Sequence, residues 1–403
     1  MIDILGELER TNQPVDRHLR DWGRAHRFAG SKDRAAIGER IYAIQRKRAW
    51  LAWRMGDNTP RSLVIGSLLD EGDIEPLFSG GGYGPSVLTE AERAIIATPP
   101  KEEPPLHVRG EYPAFLQDEL QRAFGNVLLD EMSAFQSRAP ADLRVNTLKT
   151  TRDDVLTALR SEGYDANETP FSPLGVRIAS GEAKLGRSAL FESGAFEFQD
   201  EAAQIAALLC GAKPGMRVLD LAAGAGGKSL ALAAIMRNEG EIVATDIRFD
   251  ALIELERRAA RAGATIIRTA KDFQGAFDIV LVDAPCSGTG TWRRQPELRW
   301  RLTQERITEV MATQDALLMQ AAAHVKPGGR LVYATCSILP CENEDRVAAF
   351  LDSHREFALL PAGDVWRESV TTAPPPNLGR FFRASPFSTQ TDGFFTAILA
   401  RNA

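Results

Sequence analysis

The stretch VLDLAAGAGGKS, residues 218–229, decides the fold class. A short apolar run typical of a buried strand leads into a glycine-rich turn, and a helical pattern follows. Small residues in such a turn let a nucleotide-like ligand approach the backbone at the carboxyl end of the strand. An acidic residue that ends the second strand can bind ribose hydroxyls, and Asp246 in ATDI holds that position. We therefore predict a nucleotide-type ligand at this turn.

Two known phosphate-binding patterns fail here by one residue each. A P-loop needs glycine at position 222, where Ala222 stands, and the dinucleotide pattern GxGxxG needs glycine at position 229, where Ser229 stands. A P-loop-like nucleotide hydrolase, with IVLVD as its second acidic strand, stays open as an alternative. A tight turn that binds no ligand is the other alternative.

Regular alternation of strands and helices begins at residue 196 and predicts a doubly wound, mostly parallel sheet. Its strands are predicted at residues 217–221, 242–246, 265–269, 277–282, 330–335 and 392–399. Upstream, the spacing of apolar residues predicts helices, one of them over residues 37–55. The chain is thus divided into an all-α basic domain with a Gly/Pro linker (1–105), a small α+β unit (106–195) and a catalytic α/β domain (196–403).

Composition narrows the class of protein. The chain has 403 residues, 44% of them hydrophobic and 25% charged, which is typical of a soluble protein of two or three domains. Its four cysteines are too few for a disulfide framework, so we expect free thiols and a cytoplasmic location. No apolar run approaches the length of a membrane span, and the amino terminus lacks a signal-peptide pattern.

The net charge of −6 conceals a basic amino-terminal arm. Residues 10–54 carry twelve Lys/Arg against four acidic residues, with tryptophans between them. Such an arm offers charge for phosphates and rings that can stack on bases, which favours RNA as a partner. The plainer interpretation is a solvated face of a helical bundle.

Two motifs place cysteines after predicted strands of the sheet. FDIVLVDAPCSGTG delivers Asp283 and Cys286, and GGRLVYATCSILPCENE delivers Cys336. A cysteine alone is more often a small buried hydrophobe, but two at one sheet edge form a pair, and a thiol near cations can act as a nucleophile. Cys341 gives a CxxxxC spacing with no histidine nearby, so no metal is expected.

These motifs resemble the Sun-type RNA cytosine-5 methyltransferases. The likeness runs through LRVNTLK, FQDEAAQ, VLDLAAGAGGKS, DAPCSGTG, LVYATCSILPCENE and DGFFTAIL. It implies a Rossmann-like domain dependent on S-adenosylmethionine, preceded by a small RNA-recognition-like unit. The stretch FAGSKDRAAIGERIYAIQRKRA is similar to the NusB-like RNA-binding extension of the bacterial branch that acts on 16S ribosomal RNA.

The resemblance implies catalytic roles for three residues. Cys336 would add to cytosine carbon 6, Asp283 would hydrogen-bond ring nitrogen 3, and Cys286 would assist product release. The base that removes the carbon 5 proton is not identified. The family's cofactor positions fall on Ala222, Ala223, Gly224, Ala225, Gly226, Gly227, Lys228, Asp246, Asp272 and Asp283. The family usually has CAAPGGKT in the turn, so Ala222 replaces a cysteine and Ala225 a proline.

RNA contacts are expected from two places. Arg144 and Asn146 lie in the RVN motif, and Arg293 and Arg294 lie in the basic-aromatic stretch after the first cysteine motif. Ribosomal RNA is the favoured substrate through the amino-terminal likeness, and transfer RNA stays an alternative. A non-catalytic RNA-binding assembly factor on the same fold is the remaining rival. The protein is expected to act as a monomer.

Overall fold

The computed structural model describes residues 1–82, 84–179, 182–376 and 378–403. The helices are α1 (Ile2–Thr11), α2 (Val15–Ala25), α3 (Ser31–Arg46), α4 (Arg48–Met55), α5 (Pro60–Leu68), α6 (Glu90–Ala97), α7 (Leu106–Arg109), α8 (Gln117–Phe124), α9 (Leu128–Ala134), α10 (Arg152–Ser161), α11 (Ala189–Glu192), α12 (Glu201–Leu209), α13 (Gly227–Ile235), α14 (Phe249–Ala262), α15 (Glu297–Arg301), α16 (Gln304–Ala322), α17 (Glu344–Ser353), α18 (Ala362–Ser369) and α19 (Pro386–Thr389). The strands are β1 (Ala141–Val145), β2 (Ala166–Glu168), β3 (Gly175–Ile178), β4 (Phe196–Phe198), β5 (Arg217–Asp220), β6 (Glu241–Ala244), β7 (Ile267–Thr269), β8 (Phe277–Asp283), β9 (Val325–Thr335), β10 (Phe357–Leu360), β11 (Phe382–Ala384) and β12 (Phe394–Arg401).

The chain divides into two compact units. Unit 1 comprises Met1–Ser137 and Trp292–Thr303, and unit 2 comprises Arg138–Thr291 and Gln304–Ala403. The segment Trp292–Thr303 therefore belongs to the helical unit, although the chain on both sides of it belongs to the α/β unit. The boundaries predicted at residues 105 and 195 come from sequence composition and follow a different division.

Unit 1 is helical, and its core is built from the apolar faces of helices α1 to α5. The single helix predicted over residues 37–55 is wrong: the chain breaks at Lys47 into α3 and α4. The buried carboxylate of Glu111 accepts hydrogen bonds from the N–H groups of Ala49 and Trp50, at 2.8 and 3.0 Å. These are amides of the first turn of α4, which have no partner within their own helix, so the distant carboxylate favours a new helix start here.

Unit 2 contains two sheets. The smaller has the order β2-β3-β1-β4 with antiparallel pairs throughout, which confirms the expected α+β arrangement. The larger has the order β10-β12-β9-β8-β5-β6-β7, with β11 paired to β12. Strands β9, β8, β5, β6 and β7 run parallel, and β12 joins β9 in the antiparallel sense. The predicted doubly wound, mostly parallel sheet is confirmed.

Both faces of the larger sheet are covered, and β8 shows how the sequence achieves this. Ile279 and Leu281 enter one apolar cluster, whereas Val280 and Val282 enter the cluster on the opposite face. All four side chains are at most 1% exposed. An uninterrupted apolar run is what a strand buried on both faces requires.

Candidate functional site

The candidate site lies at the carboxyl ends of β5, β8 and β9. Because β8 lies between β5 and β9 in the sheet, the turn after β5 and the two cysteine loops leave the sheet at the same edge. Ligands of open α/β sheets bind in the crevice outside this edge. The strand order therefore gathers the motifs that the sequence singled out.

The two cysteines of the motifs are in contact. The sulfur atoms of Cys286 and Cys336 are 3.4 Å apart, and both residues are partly buried. The N–H group of Gly290 donates to the Cys336 carbonyl at 2.9 Å, and the Gly393 N–H group donates to the Gly290 carbonyl at 2.8 Å. A Cβ atom at Gly290 would lie 2.0 Å from the Gly393 oxygen, so only glycine fits this close approach.

The Cys286 thiol is held in its protonated form. Its hydrogen bond with Cys336 raises its pKa well above the usual range, and burial and the negative charges of Cys336 and Glu342 raise it further. The Cys286 sulfur is therefore a proton donor and a poor nucleophile at neutral pH.

Lys228, which is buried, forms an ion pair with the partly exposed Asp283 in this site. The ammonium of Lys228 is 2.6 Å from the Asp283 carboxylate and 4.9 Å from the centre of the Phe394 ring. Burial lowers the Lys228 pKa, but the charges of Asp283, Asp220 and Cys336 outweigh that effect, and the pKa lies above its ordinary value. The lysine is thus a permanent cation that attracts negative charge at the Cys336 sulfur.

The glycine-rich turn after β5 adopts a conformation that needs its glycines. Gly224 and Gly226 have φ angles of 55° and 79°, and a Cβ atom at Gly226 would lie 2.4 Å from Leu255 Cγ. The Ala225 carbonyl accepts a hydrogen bond from the Arg258 guanidinium at 2.6 Å. This bond fixes the turn at the position where the resembling family has proline.

Asp246 closes the turn from the end of β6. Its carboxylate accepts hydrogen bonds from the N–H groups of Gly224 and Arg248, each at 2.8 Å. The next residue, Ile247, is fully exposed although it is apolar. Asp272, the other predicted cofactor residue, lies in the exposed loop after β7. This arrangement suits a ligand with a sugar and a flat ring, because it combines the glycine turn, the Asp246 carboxylate and the exposed apolar side chain of Ile247.

Asp220, the last residue of β5, lies directly before the same turn, and its buried carboxyl group makes stability depend on pH. The Ser229 hydroxyl donates to its carboxylate at 2.6 Å. Burial raises the Asp220 pKa to about 7, against the lowering effect of the Ser229 hydrogen bond. Between the ordinary pKa and about 7 the folded chain binds more protons than the unfolded chain, so this group makes the protein less stable as the pH rises through that range.

We therefore expect Asp220→Asn to be more stabilising, or less destabilising, at pH 8 than at pH 5. The difference should be a few kcal/mol, since each pKa unit corresponds to about 1.4 kcal/mol. Urea denaturation of both proteins at the two pH values measures it. An equal effect of the substitution at both values would show that Asp220 does not titrate in this range.

The predicted RNA contacts of the small sheet are buried. Arg144 is 2% exposed and donates to Gln199 Oε1 at 2.6 Å and to the Gly227 carbonyl at 3.4 Å. Asn146 donates to the carbonyls of Gly194 and Ala262 at 2.9 and 2.8 Å. RNA contact by this pair stays a prediction, while in the structure both side chains brace backbone segments of unit 2.

The second predicted RNA segment belongs to unit 1. Arg293 is 5% exposed, and Arg294 is partly buried. Farther along the segment, Arg299 is fully buried and donates to the Glu111 carbonyl at 2.8 Å. The Trp300 indole donates to the Gln45 carbonyl at 2.7 Å. This part of the segment is anchored inside unit 1, and contact of Arg293 and Arg294 with RNA stays a prediction.

Two residues of the site escaped the sequence analysis. Phe394 lies in the quoted motif DGFFTAIL, but the motif does not show that its ring lies against the Lys228 ammonium. Ile247 directly follows Asp246, and an apolar side chain beside that acidic residue is the sequence signal that could have indicated it. Among the residues that the structure describes, no cluster of histidine, cysteine or acidic side chains is arranged to hold a metal ion. Within the same residues, no helix has the length and apolar character needed to cross a bilayer.

Comparison with known proteins identifies the family. Residues 207–400 match the family model of the 16S rRNA methyltransferase RsmB/F, and residues 112–183 match the ferredoxin-like domain of RsmF/B-like methyltransferases. The match to the second model fits the small antiparallel sheet with its helices.

Individual relatives agree with the family models. The probable ribosomal RNA small subunit methyltransferase B of Synechocystis is 30% identical over 300 residues, which cover 72% of this chain and 67% of the relative. The ribosomal RNA small subunit methyltransferase B of Sodalis glossinidius is 32% identical over 321 residues, covering 78% of this chain and 68% of the relative. The chain thus spans about two thirds of the length of these relatives.

Solved structures show the same architecture. The crystal structure of PH0851 is 28% identical with a TM-score of 0.78, and covers 99% of this chain and 96% of that one. A methyltransferase homolog protein from Pyrococcus horikoshii is 27% identical with a TM-score of 0.63, covering 73% and 97%. From its sequence motifs, its sheet and these matches, the chain belongs to the RsmB/F family of methyltransferases.

Proposed function

We propose that the protein is an S-adenosylmethionine-dependent RNA (cytosine-5-)-methyltransferase that acts on 16S ribosomal RNA. The names of its relatives support ribosomal RNA as the substrate. The observation that carries the cytosine chemistry is the contact between Cys286 and Cys336, with sulfur atoms 3.4 Å apart at the ligand-binding edge of the sheet. Nothing in a nucleotide hydrolase or a passive RNA-binding factor requires such a pair.

The pair suits the chemistry of cytosine. Carbon 5 of the ring is a poor nucleophile until a nucleophile adds to carbon 6 and turns the ring into an enamine. The Cys336 thiolate forms that bond, assisted by the positive charge of Lys228. Asp283, sharing a proton with ring nitrogen 3, hydrogen-bonds that nitrogen as negative charge develops there, and the Lys228 ammonium beside it balances the charge of the carboxylate.

The second cysteine serves the end of the reaction. S-adenosylmethionine, when bound, supplies an electrophilic methyl group that carbon 5 accepts. The carbon 5 proton then passes to a base, the electrons of its bond form the double bond between carbons 5 and 6, and the bond between Cys336 and carbon 6 breaks with return of its electrons to sulfur. The Cys286 thiol, in contact with the departing sulfur, stabilises the thiolate by hydrogen bonding.

The turn after β5 is the proposed cofactor site. The residues that would hold S-adenosylmethionine are the turn residues 222–228, with Asp246 at the ribose and Ile247 against the adenine ring. The fit rests on the chemistry of the groups at the turn: the Asp246 carboxylate bound to the Gly224 N–H group and the exposed apolar side chain of Ile247 beside it. Asp272 is retained as a weaker contact near adenine.

A matched pair of substitutions tests this assignment. We expect Asp246→Asn to weaken S-adenosylmethionine binding by roughly 10- to 100-fold, because a hydrogen bond to a charged group contributes about 1.5–3 kcal/mol. Asp272→Asn, in an exposed loop, should change the affinity less than about threefold. Isothermal titration calorimetry with the cofactor measures both. Equal losses in the two variants would place the ribose elsewhere.

The amino-terminal arm is the proposed RNA-binding surface. Arg17, Arg20, Arg27 and Lys32 are exposed and make no ion pair within the described part of the chain, and Phe28 is 85% exposed among them. Unpaired cations attract phosphates, and an exposed ring can stack on an unpaired base. This surface would bring RNA to the enzyme without selecting the cytosine.

The direct test is transfer of labelled methyl groups. Purified protein is incubated with labelled S-adenosylmethionine and 16S ribosomal RNA, small subunits or transfer RNA, and the nucleosides are then identified by mass spectrometry. We expect 5-methylcytidine in ribosomal RNA. Label in transfer RNA alone would support that alternative, and label in another nucleoside would rule out the cytosine chemistry. Folded protein that binds RNA but transfers no label on any of them would favour the assembly factor.

A further inference from the structure

Glu342 is a buried carboxylate that the mechanism above does not use. It belongs to the ILPCENE stretch, lies on a short turn between β9 and α17, and is 0% exposed. No ion pair to it is found within the described residues. A buried carboxylate without a cation is costly unless hydrogen-bond donors surround it, so its surroundings call for a specific explanation.

The donors come from both cysteine loops. Ser287, the residue after Cys286, donates its N–H group to Oε2 at 2.8 Å and its hydroxyl to Oε1. Ser337, the residue after Cys336, donates its hydroxyl to Oε1 at 2.7 Å. One carboxylate therefore binds the nearest neighbour of each cysteine.

A third residue binds the same carboxylate and links it to the rest of the sheet edge. The Gln314 amide of α16 donates to Oε2 of Glu342 and to the carbonyl of Pro285, each at 3.0 Å. The Tyr333 hydroxyl of β9 donates to the Glu342 backbone carbonyl at 2.6 Å. The position of Glu342 is thus fixed by elements outside the two loops, as a rigid bracket requires.

We propose that Glu342 is a positioning residue that holds Cys286 and Cys336 at reacting distance by binding the serine that follows each of them. This role rests on the proposed function only for its catalytic consequence, since the geometry it sets is a property of the free protein. A glutamine replaces it only in part: its oxygen can accept from the two N–H donors, but its NH2 then faces the two serine hydroxyls, which have to rotate and accept, so both hydroxyl-to-carboxylate hydrogen bonds are lost. An amide offers an acceptor on one side only.

The geometric part can be measured without RNA or cofactor. Diamide, a mild oxidant whose N=N bond takes up two electrons and two protons to become a hydrazine, converts two adjacent thiols to a disulfide. In a Cys341→Ser background, peptide mass spectrometry follows the link between Cys286 and Cys336. We expect Glu342→Gln to slow its formation by about tenfold or more, since the sulfurs must approach in a defined geometry.

The matched control is Glu344→Gln, two residues farther on, where the carboxylate pairs with Arg383 at 3.1 Å and, within the described residues, accepts no hydrogen bond from the cysteine loops. It should form the link at the parent rate. Thermal unfolding checks that each variant is folded. If Glu342→Gln does not fold, Ser337→Ala, which removes one of the donors and leaves the carboxylate, should slow the link by a smaller factor.

The catalytic consequence is measured separately. With the cofactor and RNA saturating, kcat of Glu342→Gln should fall by about a hundredfold while both KM values stay within about threefold, because a small displacement of reacting groups is costly to the chemical step. Glu342→Asp, which keeps the charge, should recover part of the rate. Folded Glu342→Gln that forms the link at the parent rate would overturn the proposal. If Glu342→Gln slows the disulfide link but the parent protein itself transfers no methyl group, the positioning role of Glu342 stands and the proposed function is rejected instead.

Discussion

Cys336→Ala will reduce methyl transfer by about a thousandfold or more, because alanine leaves no atom that can bond to carbon 6 of the ring. The protein should stay folded. The side chain is small and only partly buried, and the carbonyl of residue 336, which anchors Gly290, is unchanged by the substitution. Binding of S-adenosylmethionine, measured by calorimetry, should remain within about threefold of the parent value, since the cofactor turn belongs to another strand.

Cys341→Ala provides the control for Cys336→Ala. It removes a partly buried thiol five residues farther along the chain, and we expect it to keep activity within about twofold. Methyl transfer by folded Cys336→Ala at a tenth of the parent rate or more would exclude a covalent role for this sulfur. Whether Cys286 carries such activity is tested in the double variant Cys286→Ala, Cys336→Ala, because Cys336→Ala itself removes the hydrogen bond that is the largest cause of the raised Cys286 pKa.

The larger sheet could be predicted from the sequence because its information is local. The run IVLVD is apolar on both faces, and β8 enters two opposite clusters as that pattern requires. Helix α14 occupies Phe249–Ala262, and its buried residues Leu252, Leu255, Ala259 and Ala262 follow the spacing of three and four that marks one helix face. The edge strand β10 was missed, since four residues with one exposed position carry too little pattern.

The features that the sequence did not predict depend on contacts between residues far apart in the chain. The break between α3 and α4 follows from Glu111, more than sixty positions beyond it, and no local signal marks that carboxylate as a cap. RNA contact by Arg144, expected from the RVN motif, stays a prediction, but the motif does not indicate that Gln199 and the Gly227 carbonyl hold this side chain in the interior. Glu342 was visible in its motif, but its two serine partners are brought to it only by the sheet.

Cys286→Ala will accumulate a covalent adduct between protein and RNA. Cys336 can still add to carbon 6 in this variant, and carbon 5 can still accept the methyl group. The departing sulfur then lacks the thiol that lies 3.4 Å away in the parent protein, so elimination becomes the slow step. Denaturing electrophoresis of reactions with labelled RNA should show a band of protein-bound label that the parent protein does not accumulate.

The double variant Cys286→Ala, Cys336→Ala separates this mechanism from non-specific capture. It should give no band, because the bond to carbon 6 cannot form. Adduct in the double variant would assign the bond to another nucleophile, and free methylated RNA from Cys286→Ala at the parent rate would show that release needs no thiol at position 286. An adduct band in Cys286→Ala and none in the double variant require two sulfurs that differ in protonation. One sulfur bonds to carbon 6, and the other assists its release. That division is what the raised Cys286 pKa and the Lys228 charge impose on the two cysteines.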